Sequence, residues 1–196
     1  LGCDVYIEKS AGELSGFKDF SYEESGGIIF TEQDFNLWKE VDIIFCIHCP
    51  DYEKLNKLKE GCLIIGLLNP FGNKDLAKLL SDLKLSAIAL ELLPRISRAQ
   101  SSDVLSSQAN IAGYKSVLLA ASELDRYFPM LMTAAGTVQP AKVVVLGGGV
   151  AGLQAVATAK RLGALVFVSD IRPAVKEQVE SLGAKFINLP EIDEKP

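Results

Sequence analysis

The chain has 196 residues, of which 48% are apolar and 23% are charged, and its formal net charge is −5. This composition is typical of a folded α/β protein with one large domain or two small ones, and the negative charge disfavours nucleic acid and anionic membrane surfaces as partners. No apolar run reaches the ~20 residues that a membrane-spanning helix needs, and no signal peptide opens the chain.

Strands and helices alternate through the first half of the chain. Residues 1–2 resemble a helix end and residues 3–8 a strand, and since a domain rarely begins in this way we expect preceding residues to be missing. Thr31 and Asp34 predict a helix start. The strand starts near residues 42, 62 and 86 repeat about every 20–24 residues, which predicts a doubly wound parallel sheet. The other predicted strands and helices are strands at 27–30, 43–47, 62–67 and 86–90, and helices at 51–59 and 75–83.

Cys46 and Cys49 flank His48, which is the only histidine. The two thiols could form a redox pair or half of a metal site, but Cys3 and Cys62 do not form a second pair with ligand spacing, so no metal is predicted. We interpret both cysteines as small side chains at a buried strand end. Four cysteines without a disulfide-scaffold pattern also indicate a reducing compartment, such as cytoplasm, organelle matrix or stroma. His48 lies at a strand end, where parallel sheets bind ligands, although a structural role is more common.

A polar loop and a long helix follow. The loop, residues 94–100, carries two arginines directly after a strand end. The helix is predicted from Asp103 to Phe128, where Pro129 stops it, and its ~25 residues would span ~37 Å, enough to bridge two domains. Gly113 in its interior predicts a close crossing with another helix.

Residues 142–172 form the most informative unit of the chain. The apolar run at 143–146 predicts a parallel strand buried on both faces. Gly147, Gly149 and Gly152 follow it as G-x-G-x-x-G. In this pattern the first glycine allows a tight turn, the second lets the backbone approach a pyrophosphate, and the third allows close packing of strand and helix. A helix predicted at 151–162 would direct its free N–H groups at the phosphates.

A second strand, residues 165–169, ends at Asp170, 18 residues past the last glycine. A carboxylate at this position can accept hydrogen bonds from an adenosine ribose diol, so the whole unit predicts dinucleotide binding. Asp170 would repel a 2′-phosphate, which favours NAD(H) over NADP(H). Arg172 could hold that phosphate, or it could be a solvated side chain at the start of the next helix.

Three stretches together resemble a known family. They are the run Arg-Ile-Ser-Arg-Ala-Gln-Ser-Ser-Asp that opens residues 95–114, the run Thr-Ala-Ala-Gly-Thr at 133–137, and the glycine turn with Asp-Ile-Arg at 170–172. They resemble the NAD(H)-binding component (the alpha subunit or its first domain) of proton-translocating NAD(P) transhydrogenase, a relative of alanine dehydrogenase. The resemblance is dense over residues 93–186 and looser over 1–91. It implies hydride exchange with NADP(H) held by a partner component, coupled to proton movement by a membrane-spanning component.

The resemblance also assigns roles to individual residues. It implies that Arg95, Gln100 and Asp103 are the catalytic residues and, with Ser106, line the nicotinamide end of the site. Hydride transfer between two nicotinamides needs no acid or base from the protein, so these residues would position the ring. Alternatively, Asp103 and Ser102 only cap the long helix, with Arg95 paired to Asp103. The other cofactor-binding residues that it implies are Ile96, Ser97, Ser101, Ser102, Gly147, Gly149, Val150, Gly152, Asp170, Ile171 and Arg172.

We therefore expect two doubly wound, Rossmann-like domains joined by a long helix, both truncated in this chain. Residues 1–93 form the first domain, 94–139 the ligand loop, linking helix and connector, and 140–196 a partial NAD-binding domain whose third strand, at 185–189, leaves an exposed sheet edge. The resemblance further implies a homodimer that is soluble but peripheral to a membrane complex, on the bacterial cytoplasmic side or in the organelle matrix or stroma.

Two alternative functions stay open. Alanine dehydrogenase holds a keto acid with an arginine near its N-terminus, a lysine and a histidine. Here the arginine region is absent, His48 occupies the lysine position, and the segment Leu68-Asn69-Pro70 has no histidine. These departures disfavour an amino-acid dehydrogenase. The second alternative is a non-catalytic NAD-binding regulatory or scaffold module.

Overall fold

The computed structural model describes residues 2–188 apart from 32, 33 and 35. The chain divides between Pro94 and Arg95 into two units. Each unit combines helices with parallel strands, which confirms the predicted α/β fold class. No helix in the described residues is long and apolar enough to cross a membrane.

The first unit contains two parallel sheets among its described residues. One pairs β1 (Tyr6–Glu8) with β2 (Ile28–Phe30). The other has the order β3 (Ile43–His48), β4 (Leu63–Leu67) and β5 (Ser86–Ala89). All five strands lie where alternation in the sequence predicts them. The helices of this unit are α1 (Asp19–Glu24), α2 (Leu37–Glu40), α3 (Tyr52–Leu55) and α4 (Lys74–Asp82).

Helices cover one face of the β3–β4–β5 sheet. Ile64 of β4 is fully buried there, against Leu55 of α3 and Leu76 and Leu80 of α4. The predicted amphipathic helix α4 is thus confirmed, and it begins at an Asn73 cap that accepts a hydrogen bond from the N–H of Leu76 at 3.1 Å. The opposite face carries three exposed apolar side chains of β3, namely Ile43, Phe45 and Ile47.

Two helix predictions in the first unit need correction. Helix α3 ends at Leu55 and does not continue to residue 59. The reason is local, because the N–H of Lys57 bonds to the Lys54 carbonyl three residues back, which tightens the chain into turns. The predicted helix start at Thr31 is wrong, because α2 starts at Leu37 with Asn36 as its N-cap residue. Thr31 and Asp34 interact only locally, through a hydrogen bond from the Thr31 N–H to the Asp34 carboxylate at 2.9 Å. Residues 32, 33 and 35 lie outside the described residues.

The second unit is built around a three-stranded parallel sheet, in which β9 (Leu165–Ser169) lies between β8 (Lys142–Leu146) and β10 (Lys185–Phe186). Its core packs apolar side chains of the sheet and helices together, among them Val156, Val168 and Val179. A short antiparallel hairpin, which the sequence did not predict, precedes the sheet. The elements in chain order are α5 (Val104–Glu123), β6 (Leu131–Thr133), β7 (Gly136–Val138), β8 (Lys142–Leu146), α6 (Val150–Arg161), β9 (Leu165–Ser169), α7 (Val175–Ser181) and β10 (Lys185–Phe186).

The apolar sequence of β8 predicted a strand buried on both faces, but only one face of this strand is buried. Val143 and Val145 pack against the core, whereas Val144 and Leu146 are 58% and 81% exposed. The strand forms one edge of the described sheet. The third predicted strand is present as β10, but it ends at Phe186, and residue 189 lies outside the described residues.

The long helix α5 starts as predicted but ends at Glu123 instead of Phe128. Leu124 adopts extended backbone angles. Phe128 is buried in the core of the second unit, and its carbonyl accepts a hydrogen bond from the N–H of Ala141 at 3.0 Å. Because Phe128 packs into the apolar core, residues 124–128 leave the helix.

Gly113 marks a close crossing of α5 and α6, as predicted. A Cβ atom at this position would overlap the carbonyl oxygen of Ala151, which belongs to the first turn of α6. Because the obstructing atom is backbone, the clash can be relieved only by separating the two helices.

Replacing Gly113 with alanine is expected to lower the free energy of unfolding by about 1–3 kcal/mol, the usual cost of overpacking. Urea unfolding of the variant measures this change, with Lys115→Ala, at an exposed position of the same helix, as the control. Helix propensity alone predicts the opposite sign, a gain of up to about 1 kcal/mol. A more stable Gly113→Ala variant would therefore contradict the crossing.

Candidate functional site

The chain makes a tight glycine turn at the carboxyl end of β8. Gly147 has a φ of +95°, a left-handed conformation that side chains rarely adopt. Its N–H donates to the carbonyl of Ser169 at 2.8 Å, which ties the turn to the end of β9. This is the conformation that the motif predicts for its first glycine.

Two further glycines are required by close packing. A Cβ atom at Gly152 would overlap the carbonyl oxygen of Gly147, so only glycine lets α6 lie this close to the turn. A Cβ atom at Gly148 would overlap the side chain of Val175. Sequence reasoning missed Gly148, because the motif treats its middle position as variable. The run of three consecutive glycines at 147–149 could have indicated that Gly148 is also required.

The N-terminus of α6 suits an anionic ligand. Gly149 is its N-cap residue, no side chain caps it, and the first turn contains no acidic residue. The N–H groups of the first turn therefore have no intrahelical partner, and the positive end of the helix dipole is uncompensated. A Cβ atom at Gly149 would meet nothing within 4 Å, so space remains beside the backbone. These features fit a pyrophosphate, which needs backbone donors and close approach.

Asp170 lies beside the turn, immediately after β9. Its side chain is only 4% exposed, and its Oδ2 accepts a hydrogen bond from the N–H of Gly148 at 2.7 Å. The Arg172 guanidinium and the Arg172 and Gly148 N–H groups hold the pKa of the Asp170 carboxyl well below its usual range. Asp170 in turn raises the pKa of Arg172. The acid is therefore anionic throughout the physiological range and paired with a cation.

The polar loop after Pro94 is a 3₁₀ turn, Ser97–Ser102, that leads into α5. Asp103 caps α5, since its Oδ1 accepts from the Ser106 N–H at 2.9 Å and its Oδ2 from the Ser106 hydroxyl at 2.7 Å. These two bonds, with a smaller contribution from the charge of Arg95, lower the pKa of Asp103. Of the purely structural alternative, only the cap by Asp103 is present, since the structure shows neither a capping bond from Ser102 nor an ion pair between Arg95 and Asp103 among the described residues.

The predicted site residues fall into two groups within the second unit. The turn group joins the glycines to Asp170 and Arg172. The loop group joins Asp103 to Ser106, and the other loop residues extend toward solvent. The groups are linked through α5, whose crossing with α6 lies nine residues beyond Val104, about 14 Å along the helix axis. The exposed members of the predicted set are Arg95, Ile96, Ser97, Gln100, Ser101, Ser102, Gly147, Gly149, Val150, Ile171 and Arg172.

Cys46 and Cys49 lie in surroundings that suit a structural role. Cys46 and Cys49 pack against the core of that unit, and the Cys46 thiol lies 3.7 Å from the carbonyl oxygen of Ile65. Burial, with a smaller effect of Cys49, raises the pKa of the Cys46 thiol to about 11. A thiol of this kind is a poor nucleophile and metal ligand. No group of three His, Cys, Asp or Glu residues suited to a metal occurs among the described residues.

His48 lines a cleft of about 580 Å³ at the carboxyl ends of β3 and β4. The cleft has an apolar floor that includes Leu55 and Leu76, and its polar walls include Asn69 and Asp75. No lysine or arginine lines it among the described residues. His48 therefore does face a crevice, but one without a fixed cation for binding a carboxylate.

Comparison with known proteins accounts for both units. Residues 1–112 match the family model described as alanine dehydrogenase/PNT, N-terminal domain, and residues 116–195 match the one described as alanine dehydrogenase/PNT, C-terminal domain. The chain belongs to the alanine dehydrogenase/PNT family. The resemblance deduced from the polar loop and the glycine turn is thereby confirmed.

The chain is similar both to relatives named as transhydrogenase subunits and to relatives named as alanine dehydrogenases. It is 46% identical over 194 residues to the first part of NAD(P) transhydrogenase subunit alpha of Rhodospirillum rubrum, covering 96% of this chain and 50% of that protein. It is 32% identical over 184 residues to alanine dehydrogenase 2 of Staphylococcus aureus, covering 92% of this chain and 48% of that protein. The crystal structure of transhydrogenase from Sinorhizobium meliloti superimposes with a TM-score of 0.88 at 50% identity, covering 95% of this chain and 55% of that one.

The chain spans about half the length of the curated family members it matches. Its identity is higher to the transhydrogenase subunit than to the alanine dehydrogenase. Within the family the comparisons therefore favour the transhydrogenase branch.

Proposed function

We propose that this chain is the NAD(H)-binding part of a proton-translocating NAD(P) transhydrogenase. The protein that carries it would exchange hydride between NAD(H) in its own site and NADP(H) held by a partner component. A membrane-spanning component would couple that exchange to proton movement. The observation that carries the proposal is the glycine turn, with open space at Gly149, free N–H groups at the start of α6 and Asp170 beside them.

Each region of the proposed site has a chemical task. The N–H groups at the start of α6 would bind the pyrophosphate, and Asp170 would accept hydrogen bonds from the adenosine ribose. The other half of the dinucleotide would extend from the turn toward Arg95, Gln100, Asp103 and Ser106. The nicotinamides supply the redox chemistry, so these residues would orient one ring against the other and need transfer no proton themselves.

The proposal also includes the assembly. The 46% identity to a protein named as one portion of a transhydrogenase alpha subunit supports separate NADP(H)-binding and membrane-spanning partner components. We propose a homodimer, located on the face of the membrane where those partners present NADP(H), which is the bacterial cytoplasmic side or the organelle matrix or stroma.

Amino-acid dehydrogenation is the alternative that a specific observation favours, since the chain is 32% identical to an alanine dehydrogenase. A keto-acid substrate carries a carboxylate that such an enzyme must neutralise. The His48 cleft has no lysine or arginine among its described lining residues, and its walls include Asp51 and Asp75. The charges of this cleft therefore oppose binding of pyruvate.

One pair of assays tests the proposed function. The protein carrying this chain is mixed with NADH and either an NADP(H)-binding transhydrogenase component loaded with NADP⁺, or pyruvate and ammonia. We expect NADPH to form in the first assay and no NADH oxidation above background in the second. The reverse result would establish the amino-acid dehydrogenase. NADH binding without turnover in either assay would point to a non-catalytic module.

A further inference from the structure

Arg172 fills the positions on Asp170 that a ribose diol would need. Oδ1 of Asp170 accepts from the backbone N–H of Arg172 at 2.8 Å and from its Nε at 3.0 Å. Oδ2 accepts from the N–H of Gly148 at 2.7 Å and from Nη2 of Arg172 at 2.9 Å. An ionised carboxylate offers about four acceptor positions. All of them are used within the chain.

Only two of these four bonds can be released without moving the main chain. The bonds from the Gly148 and Arg172 N–H groups are fixed by the glycine turn and by the backbone after β9. The two from the guanidinium are not, because the Arg172 side chain is 58% exposed and can rotate into solvent. The guanidinium donates one bond to each oxygen. The two hydroxyls of a ribose diol also donate two bonds, so the exchange would conserve their number.

We propose that Arg172 acts as a latch on the ribose-binding position, holding Asp170 until a cofactor arrives and leaving it when the diol binds. The inference rests on the proposed NAD(H) site. The latch would keep a carboxylate that is 4% exposed paired in the free protein, where an unpaired buried charge is costly. It would also weaken the apparent affinity, since the cofactor binds only the fraction of molecules in which the latch is open.

Two nucleotides that differ only in the diol test the latch. Calorimetric titration gives the affinities of ADP and 2′,3′-dideoxy-ADP for the unmodified protein, for Arg172→Ala and for Lys176→Ala. Lys176 is 56% exposed and pairs with Glu180, so its replacement removes one positive charge without touching Asp170. The affinity for ADP divided by the affinity for 2′,3′-dideoxy-ADP measures the contribution of the diol, because general charge effects change both affinities equally.

We expect this ratio to rise about three- to tenfold in Arg172→Ala, because the diol no longer competes with the guanidinium for the two oxygens of Asp170. Lys176→Ala should leave it unchanged. If Arg172→Ala does not fold, Arg172→Lys serves, since lysine keeps the charge but lacks the two-pronged geometry. An unchanged or smaller ratio in the folded variant would overturn the latch.

Nitrogen-15 NMR observes the arginine directly in the unmodified protein. The Arg172 Nε–H resonance, identified by its absence from Arg172→Lys, should shift on addition of ADP and not on addition of 2′,3′-dideoxy-ADP. Equal shifts with both nucleotides would contradict the latch. If the unmodified protein binds neither ADP nor NADH, the NAD(H) site itself is wrong, whereas binding with an unaltered ratio removes only the latch.

Discussion

Replacement of Gly152 by alanine is expected to damage both the fold and cofactor binding. The added methyl group would overlap the Gly147 carbonyl oxygen, a backbone atom that cannot rotate aside. Either α6 moves away from β8 or the turn changes shape. We expect the free energy of unfolding to fall by about 3 kcal/mol, the upper end of the usual overpacking cost. NADH affinity should fall at least about tenfold, because the turn no longer presents its N–H groups to the pyrophosphate.

Gly149→Ala is the matched control for this prediction. Its backbone angles suit any residue, and a Cβ atom there would meet no neighbour within 4 Å, so urea unfolding should be nearly unchanged. The same methyl group would stand where the pyrophosphate approaches, and NADH affinity should still fall. A Gly149→Ala protein that binds NADH normally would place the phosphates elsewhere. A Gly152→Ala protein of normal stability would contradict the close packing of α6.

Gln100→Ala is expected to slow hydride transfer on the order of 100-fold, while NADH affinity changes only a few-fold. Gln100 is exposed on the 3₁₀ turn that leads into α5, and its amide can both donate and accept hydrogen bonds. A contact made mainly when the two nicotinamides meet affects the rate more than ground-state binding. Loss of one positioning contact can cost about 100-fold in rate.

Equilibrium titration of NADH and single-turnover absorbance with NADP⁺ on the partner component measure the two quantities for Gln100→Ala. Gln108→Ala removes the same side chain from an exposed position of α5, outside the proposed site, and should transfer hydride at the unmodified rate. If Gln100→Ala also transferred hydride at that rate, the loop would have no role in positioning the ring.

Local sequence signals predicted much of this structure. The strands of the two three-stranded sheets follow apolar runs, and α4 follows its leucine spacing. The turn at Gly147 was predictable because its glycines interact with residues only a few positions away. The helix crossing at Gly113 was also predictable. A glycine inside a helix lowers helix stability, and close packing against another helix is a reason for it to be there.

The features that the sequence did not predict depend on contacts between distant residues. Helix α5 ends early because Phe128 enters the core and bonds to Ala141. Gly148 matters because Val175 and Asp170, more than twenty residues away, pack against it and bond to it. The exposure of Val144 depends on what covers the sheet, and an apolar run alone does not contain that information.

The pairing of Asp170 with Arg172 was predictable only in part. The two residues are close in sequence, so an ion pair was foreseeable. The saturation of the carboxylate was not, because it also needs the Gly148 N–H from the other side of the turn. The same acid that suits a ribose diol is therefore already engaged in the free protein.

Competition between NADH and NADPH at equilibrium tests the central claim most directly. Fluorescence titration of the unmodified protein should show NADH binding at least about tenfold more tightly than NADPH, because the Asp170 carboxylate disfavours a 2′-phosphate. Asp170→Asn, which removes the charge and keeps the shape, should narrow that gap. Equal affinities for the two cofactors in the unmodified protein would contradict the assignment of this turn as an NAD(H) site.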